Sequence, residues 1–428
     1  MIKHTAINQL KSHLGEVITI AGFVHAFRDQ GKIKFARIRD ASGSIQLVIL
    51  KNYESAFKAE LTIESVVLVT GLVKEAGQVP EGIEIEAQEF VVLSEAASIL
   101  PIPVAAEKGA DEVDIVNRLD YRWLDLRKPE NQKIFYVWTE LEAGMREYLF
   151  KEGFTQIYAP SFMSTASESG AEVFEVKYFQ TKAYLAQSPQ FYKQMAIASG
   201  IEKVFMVGPV FRAELSFTTR HMTEFTGWDF EFAYVDSHHD VMDMEEAALK
   251  SGFARLKAKG LIEEEITVPF TRLTLAEVKA KLATKGIPSE KVHDLSPVEE
   301  REISALIKEE TGSNFLFVTD YPIAARPFYH MRHEDNPGLT KSFDLLYKGL
   351  EITTGAQREH RIDVLTKQAQ EKGMDEKSLA DYLNFFRFGC PPHGGVGIGP
   401  GRIVQQILGL ASVKEATFLP RDVKRLRP

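Results

Sequence analysis

Arg212, Glu214, Arg220, His221 and Glu224 fall inside one window, "FRAELSFTTRHMTEF". An arginine pairs bidentately with a phosphoryl group, and a second arginine beside a histidine suits further phosphate oxygens. The flanking runs "VFMVGPV" and "TGWDFEFAYV" alternate in polarity, as strands with one buried face do. Alternation places Asp229 with Glu231 on one face and Trp228, Phe230 and Phe232 on the other. Paired as an antiparallel hairpin, the strands present Arg212, Glu214, Asp229 and Glu231 on an open face above an aromatic underside. The turn from Leu215 to Glu224 outruns the ~2–5 residues of ordinary hairpin loops and has the reach to fold over a ligand. A solvated hairpin with incidental salt bridges is the plainer account. Against it stands the cost of holding several charges on the interior part of a sheet with no ligand to serve.

A chain of 428 residues exceeds one small core, so two or three domains must position this window. Residues 1–100 carry five strand-like runs, "EVITIAGFV", "KIKFARIRD", "SIQLVIL", "SVVLVTGLV" and "IEIEAQEFVVL", which suits an OB-fold β-barrel. Phe35 and Gln46 lie on the second and third runs, where an aromatic stacks on a base and an amide reads its edge. Periodicity alone explains Phe35 equally well as core. Residues 101–130 read as a hinge, since "LPIPVAAEKGADEVD" is proline-bearing and then acidic. Residues 131–428 form a second α+β domain. There Ile134, Val137, Leu141, Met145 and Leu149 share a helical stripe, and Gly153 stops the helix before a short strand, "TQIYAP". The stretch at about 236–312 is helical and highly charged and reads as a surface insertion. Strand-like runs return in "NFLFVTDYP", "RPFYHMRHED" and "SFDLLYKGLEITTG". "GGVGIGPGRIVQQILGL" reads as a glycine-rich turn entering an amphipathic helix.

The net charge of −9, from 51 basic and 60 acidic residues, argues against a polybasic nucleic-acid coat but allows a local grip. A single cysteine, Cys390, excludes a disulfide framework and a cysteine-based zinc site. "MIKHTAINQL" lacks the apolar centre of a signal peptide, and no run of ~18 apolar residues occurs. A cytoplasmic protein without a membrane partner is the expectation.

"GPVFRAE" followed by "RHMTEFTGWDFE" resembles motif 2 of the class II aminoacyl-tRNA synthetases. "FTQIYAP", closed by Pro160, resembles motif 1, and "GGVGIGPGR" resembles motif 3, all in the family's order. The barrel, "NRLDYRWLDLRKPE" and "FLPRDVKRLRP" extend the likeness over nearly the whole chain, which is most similar to aspartyl-tRNA synthetases of the archaeal type. The resemblance implies an antiparallel catalytic sheet flanked by helices, a homodimer through motif 1, and ATP-dependent ligation of L-aspartate to tRNA through aspartyl-adenylate. It implies Arg212 as the catalytic group at the α-phosphate, Phe225 against adenine with Glu214 at the ring edge, and Arg220, His221 and Arg402 at the outer phosphates. Mg²⁺ would sit at Asp344, Glu351 and Thr354, with Glu351 also meeting ATP. Lys193 and Arg358 would clamp the aspartate side chain, while Asp229 and Glu168, with Gln190 nearby, would receive its ammonium. Two buried cations favour a carboxylate, since asparagine would leave them uncompensated.

Two departures stand out. The family's acidic residue before the motif 3 arginine is Gly401 here, which leaves Arg402 without that partner. On the barrel, the family's anticodon positions match Arg28, Phe35 and Gln46. His25 and Pro80 stand where strict selectors carry tryptophan and lysine. That resembles the nondiscriminating form, which charges tRNA(Asp) and tRNA(Asn) and leaves amidation to an amidotransferase. The alternatives are an asparaginyl-tRNA synthetase, a strictly tRNA(Asp)-specific enzyme, an ammonia-using paralogue that ignores tRNA, and a non-catalytic nucleic-acid module.

Overall fold

The computed structural model describes residues 2–105, 113–165 and 172–428. The chain divides into two compact units, Met1–Pro129 and Glu130–Pro428.

In the first unit β1 (Val17–Asp29), β2 (Ile33–Asp40), β3 (Gly43–Leu50), β4 (Val66–Glu75) and β5 (Ile83–Ser94) close a barrel in the order β1-β2-β3-β5-β4. Alternate residues such as Ile20, Val24, Ile38, Leu47, Val69 and Ile85 fill its interior. A short helix, α1 (Glu54–Lys58), lies between β3 and β4. A bulge in the β1–β2 pairing falls at His25, between the pairs Val24↔Ile38 and Ala26↔Arg37. α2 (Ile115–Asp120) is N-capped by Asp114, whose carboxylate accepts from the backbone of Val116 and Asn117. In α3 (Arg122–Asp125) the two end residues are buried and ion-paired at 2.6 Å.

The second unit opens with α4 (Pro129–Lys151), which buries the predicted stripe Ile134, Val137, Leu141, Met145 and Leu149. β6 (Thr155–Gln156) follows, and then a small sheet of β7 (Phe162–Met163), β8 (Glu175–Tyr178) and β9 (Thr181–Leu185). Next come α5 (Gln190–Ala198), β10 (Lys203–Phe211), β11 (Glu224–Ala233), α6 (His238–Ala258), β12 (Thr271–Thr274), α7 (Leu275–Thr284) and α8 (Pro297–Thr311). The rest is β13 (Phe315–Thr319), β14 (Ser342–Tyr347), β15 (Leu350–Arg358), α9 (Ile362–Glu371), α10 (Ala380–Phe386), β16 (His393–Ile398) and α11 (Pro400–Leu408). The main sheet runs β12-β13-β14-β15-β16-β11-β10-β6 and is antiparallel except at its two ends. Trp228, Phe230, Phe232, Phe343 and Leu345 project from one face into a core shared with α4 and α6.

Three sequence readings change. The charged stretch 236–312 is not a surface insertion throughout, because α6 buries Val241, Met242, Leu249, Phe253 and Leu256 and β12 joins the main sheet. Most of its charges, with Glu245, Glu246, Glu299 and Glu300 as buried exceptions, lie off the buried faces and masked the apolar stripe. "RPFYHMRHED" forms no strand; its strand-like pairing, among the described residues, is limited to the isolated bridges His330↔Arg358 and Arg332↔Thr340. The run "HGGVGI" is no turn but the central strand β16, and its glycines serve close packing rather than bending.

Candidate active site

The face opposite the aromatic core opens into a cleft of about 760 Å³. Register alone aligns much of its floor. Asp344 pairs with Thr354, Thr354 with Gly397, and Gly397 with Asp229, a row across four strands. The neighbouring row runs Ala356, Gly395, Glu231. A Cβ at Gly395 would overlap the Glu231 carboxylate, and one at Gly397 would press on Asp229. The glycines of β16 therefore make room for the two acids of β11. A bulge between Leu345 and Leu346 pairs Leu346 with Glu351 and skips Ile352. Without it, Glu351 and Thr354, three residues apart, would face opposite ways; with it both join Asp344 on the cleft side.

At one end of the cleft the charges are buried and interlocked. Lys193, 1% exposed on α5, sets its ammonium 2.9 Å from Asp229 Oδ2, 3.2 Å from the Val396 carbonyl and 3.3 Å from Glu231 Oε2. Arg358, 2% exposed at the end of β15, donates from Nε to Glu231 Oε1 at 2.9 Å and from Nη2 to the Gly395 carbonyl at 2.9 Å. Its Nη1 donates to His330 Nε2 at 2.9 Å. Burial alone would push the Glu231 carboxyl up, but Arg358 and Lys193 together hold it below the usual range. Burial, reinforced by Arg358, holds the His330 imidazole well below its usual range. Gln190 is buried beside Lys193, and its Nε2 has no partner among the described residues. The two cations are thus already compensated, and the simple picture of an uncompensated positive pocket needs that correction. Glu168, the second acid expected there, lies outside the described residues.

At the other end the charges are looser. β10 stops at Phe211, so Arg212 and Glu214 belong to the connecting loop rather than to the strand, although the Arg212 amide still donates to the Thr223 carbonyl at 2.9 Å. The Arg212 guanidinium is exposed and lies 5.5 Å from the centre of the Phe225 ring. Arg220 donates to Glu300 Oε1 at 2.9 Å, and its other carboxylate neighbour, Glu351, is 3.9 Å away. Arg402 donates from Nη1 to the Glu351 carbonyl at 2.9 Å and to Glu351 Oε1 at 3.2 Å. Glu351 thereby supplies the partner that Gly401 cannot, and a Cβ contact of 3.2 Å with Val413 leaves position 401 little room for a side chain. His221 accepts or donates at 2.6 Å with the Thr218 hydroxyl, and burial followed by the nearby Arg402 lowers its pKa. Asp344 Oδ2 accepts from Arg326 at 2.6 Å, while Asp344 Oδ1 is buried without a hydrogen-bond partner among the described residues. Burial raises the Asp344 carboxyl despite Arg326. Among the described residues no three His, Cys, Asp or Glu side chains form a metal cage.

On the barrel, Arg28 pairs with Phe35, Phe35 with Val48 and Arg37 with Gln46, which places these side chains on the outer face. Phe35 is half-buried and Arg28 exposed, while Gln46 donates to Glu84 at 3.0 Å. Pro80 is exposed, and the next residue, Glu81, is tied to β2 by Arg37. His25 meets Arg39 at 2.6 Å, and Arg39 in turn pairs with the buried Glu64. Burial, then Arg39, depresses the His25 imidazole.

Every predicted cleft residue except Glu168 and Asp344 lines the cleft; Asp344 sits one strand away under Arg326. Sequence reasoning placed Glu231 on the right face without assigning it a task, and it passed over Arg326, His330 and Glu300. The alternation in "WDFEF" marks Glu231. Nothing in "RPFYHMRHED" or in α8 signals that those side chains converge on the cleft from elements distant in the chain.

The family model for tRNA synthetases class II (D, K and N) matches residues 114–423, and that for the OB-fold nucleic acid binding domain matches residues 18–93. The aspartate–tRNA(Asp/Asn) ligase of Aeropyrum pernix is 40% identical over 98% of this chain and 97% of that protein. The aspartate–tRNA(Asp) ligase of Pyrococcus abyssi is 37% identical over 97% of each. Among solved structures, asparaginyl-tRNA synthetase from Pyrococcus horikoshii complexed with asparaginyl-adenylate has a TM-score of 0.90 at 33% identity, covering 100% of both chains. Aspartyl-tRNA synthetase from Entamoeba histolytica has a TM-score of 0.89 at 33% identity, covering 100% of this chain and 93% of that one. With a helix-flanked, largely antiparallel sheet, an arginine-bearing hairpin within it and an OB-fold barrel earlier in the chain, the chain belongs to the class II tRNA synthetases of the D, K and N group.

Proposed function

We propose that this chain ligates L-aspartate to tRNA through aspartyl-adenylate at the expense of ATP, and that it charges both tRNA(Asp) and tRNA(Asn). The observation that carries the choice of amino acid is Glu231 locked between Lys193 and Arg358 beside Asp229. Incoming aspartate exchanges ion pairs without upsetting the balance. Its ammonium takes Asp229, and its side-chain carboxylate takes the place Asp229 leaves on Lys193. Asparagine brings the ammonium but no second anion, so Lys193 and Arg358 would be left to share Glu231 alone, an under-compensated pair of cations in a site where buried charge imbalance costs several kcal/mol.

At the nucleotide end Phe225 stacks on adenine, Glu214 meets the ring edge, and Arg212 neutralises charge developing on the α-phosphate as the aspartate carboxylate attacks and pyrophosphate leaves. Arg220, His221 and Arg402 receive the outer phosphates, which replace Glu300 and Glu351 as their partners. The unpartnered Asp344 Oδ1, the Thr354 hydroxyl and the bulged Glu351 are hard oxygen donors that suit Mg²⁺. When bound, the ion would offset phosphate charge. In the second step the terminal ribose hydroxyl of tRNA attacks the acyl carbon of aspartyl-adenylate, forming the ester as the acyl–phosphate bond breaks and AMP leaves.

On the barrel, Phe35 stacks a base, with Arg28 and Gln46 beside it. His25, engaged with Arg39, and the small Pro80 leave the third anticodon base loosely selected. Such an enzyme works with an amidotransferase and in the cytoplasm; no described helix is long and apolar enough to cross a membrane. The exposed Tyr158 and Phe162 after β6 suit a homodimer contact. Aspartate-dependent ATP–pyrophosphate exchange, followed by side-by-side charging of tRNA(Asp) and tRNA(Asn) transcripts, tests the reading. Exchange driven by asparagine instead, or charging of tRNA(Asp) alone, would replace it with the asparaginyl or the strict form.

A further inference from the structure

The donors at the amino-acid end do not divide as two clamping cations would suggest. Lys193 has three N–H groups and three oxygens within 3.3 Å. Arg358 has five N–H groups, and contacts to Glu231, the Gly395 carbonyl and His330 occupy all but one, on Nη1. An arginine only donates, so His330 Nε2 must accept and the imidazole carries its proton on Nδ1. That Nδ1 is buried with no partner among the described residues, in a side chain 2% exposed that lines the cleft. A buried donor without an acceptor is costly unless a ligand supplies one. The residue is also held firmly: its backbone bridges to Arg358, its carbonyl accepts from Gln368 Nε2 at 3.1 Å, and its ring lies 5.2 Å from that of Tyr329.

Building on the reading of this cleft as an aspartate pocket, we propose that His330 is a third recognition group for the substrate's side-chain carboxylate. Its Nδ1–H donates to one oxygen, and the remaining Nη1–H of Arg358 shares in holding the group. Arg358 thereby sets the tautomer that makes His330 a pure donor toward the ligand. A carboxylate offers acceptors at both oxygens, whereas an amide turned to meet one donor presents its own NH₂ to the other. Selectivity between the two side chains then rests on a neutral imidazole as well as on charge.

The test compares wild type, His330→Phe and His330→Asn in amino-acid-dependent ATP–pyrophosphate exchange. Wild type must first show aspartate-dependent exchange; its absence sinks the underlying reading and not this one. In His330→Phe the ratio of kcat/KM for aspartate over asparagine should fall roughly 10- to 100-fold, as for one hydrogen bond to a charged group, with KM for ATP unchanged. His330→Asn, which keeps a donor, should recover part of that loss. In ¹⁵N-histidine-labelled wild type, the Nδ1–H signal that His330→Asn deletes should move downfield on adding aspartate alone. An unaltered ratio in both variants, or a signal that saturating aspartate leaves in place, overturns the assignment.

Discussion

The two ends of the cleft hold similar numbers of charges in opposite ways. At the amino-acid end Lys193, Arg358 and Glu231 are at most 2% exposed and locked to one another on regular elements. At the other end Arg212 is exposed on a loop and Arg402 rests on the half-buried Glu351, while Arg220 alone leans on a buried acid, Glu300. A buried pair is part of the fold because each member is intolerable without the other. An exposed arginine adds little to stability and is available to a ligand. On the function proposed above, the first end would discriminate and the second would neutralise phosphate.

Breaking the first end should therefore cost the fold. Arg358→Met leaves Glu231 fully buried with Lys193 as its remaining ion-pair partner among the described residues, and should lower unfolding free energy by about 3–5 kcal/mol in denaturant titrations. An unchanged midpoint would show that the buried triad is not structural. Breaking the second end should leave the fold alone. Arg212→Ala should shift stability by less than about 0.5 kcal/mol. It should also cut the rate of adenylate formation by about 10²–10³, equivalent to ~2.7–4 kcal/mol of transition-state stabilisation. Loss of stability equal to loss of rate would erase the contrast between the ends.

How much of this was legible from the sequence follows the same division. The barrel, the stripe of α4 and the faces of β11 are local patterns, set by periods of 2 and 3.6, and they emerged from the residues, whereas β10 stops one residue short of the face read at Arg212 and Glu214. Register between distant strands is not local. That Gly395 and Gly397 would lie under Glu231 and Asp229, or that a bulge at Ile352 would turn Glu351 toward the cleft, depends on which strands become neighbours. Glycines in β16 therefore looked like a turn. Likewise Arg326, His330 and Glu300 enter from an irregular segment and from α8, where the sequence offers proline breaks and a charged helix but no hint of direction. The resemblance supplied roles for Lys193 and Arg358 without revealing that Glu231 already joins them.

Glu245 sharpens the comparison from behind the sheet. Like Glu231 it is 0% exposed, yet neither of its oxygens has a hydrogen-bond partner among the described residues. Burial pushes its carboxyl up to about 8; the Thr353 hydroxyl offsets only part of that push, and Glu246 and Asp344 add to it. Glu231 has two cations that favour its ionised form; Glu245 has none among the described residues, and burial favours its protonated form. A carboxyl with a raised folded pKa binds its proton more tightly in the native state, so its contribution to stability falls as pH rises from the unfolded value of 4.5 to about 8, then levels off. Glu245→Gln keeps a neutral group of similar shape and removes that slope. The variant should match wild type near pH 4.5 and exceed it by about 2–3 kcal/mol at pH 7. Unfolding free energies measured across that window should diverge steadily between the two proteins. Parallel curves would mean that the Glu245 carboxyl ionises in place, and that burial without a cation is less costly beneath this sheet than beside Lys193 and Arg358.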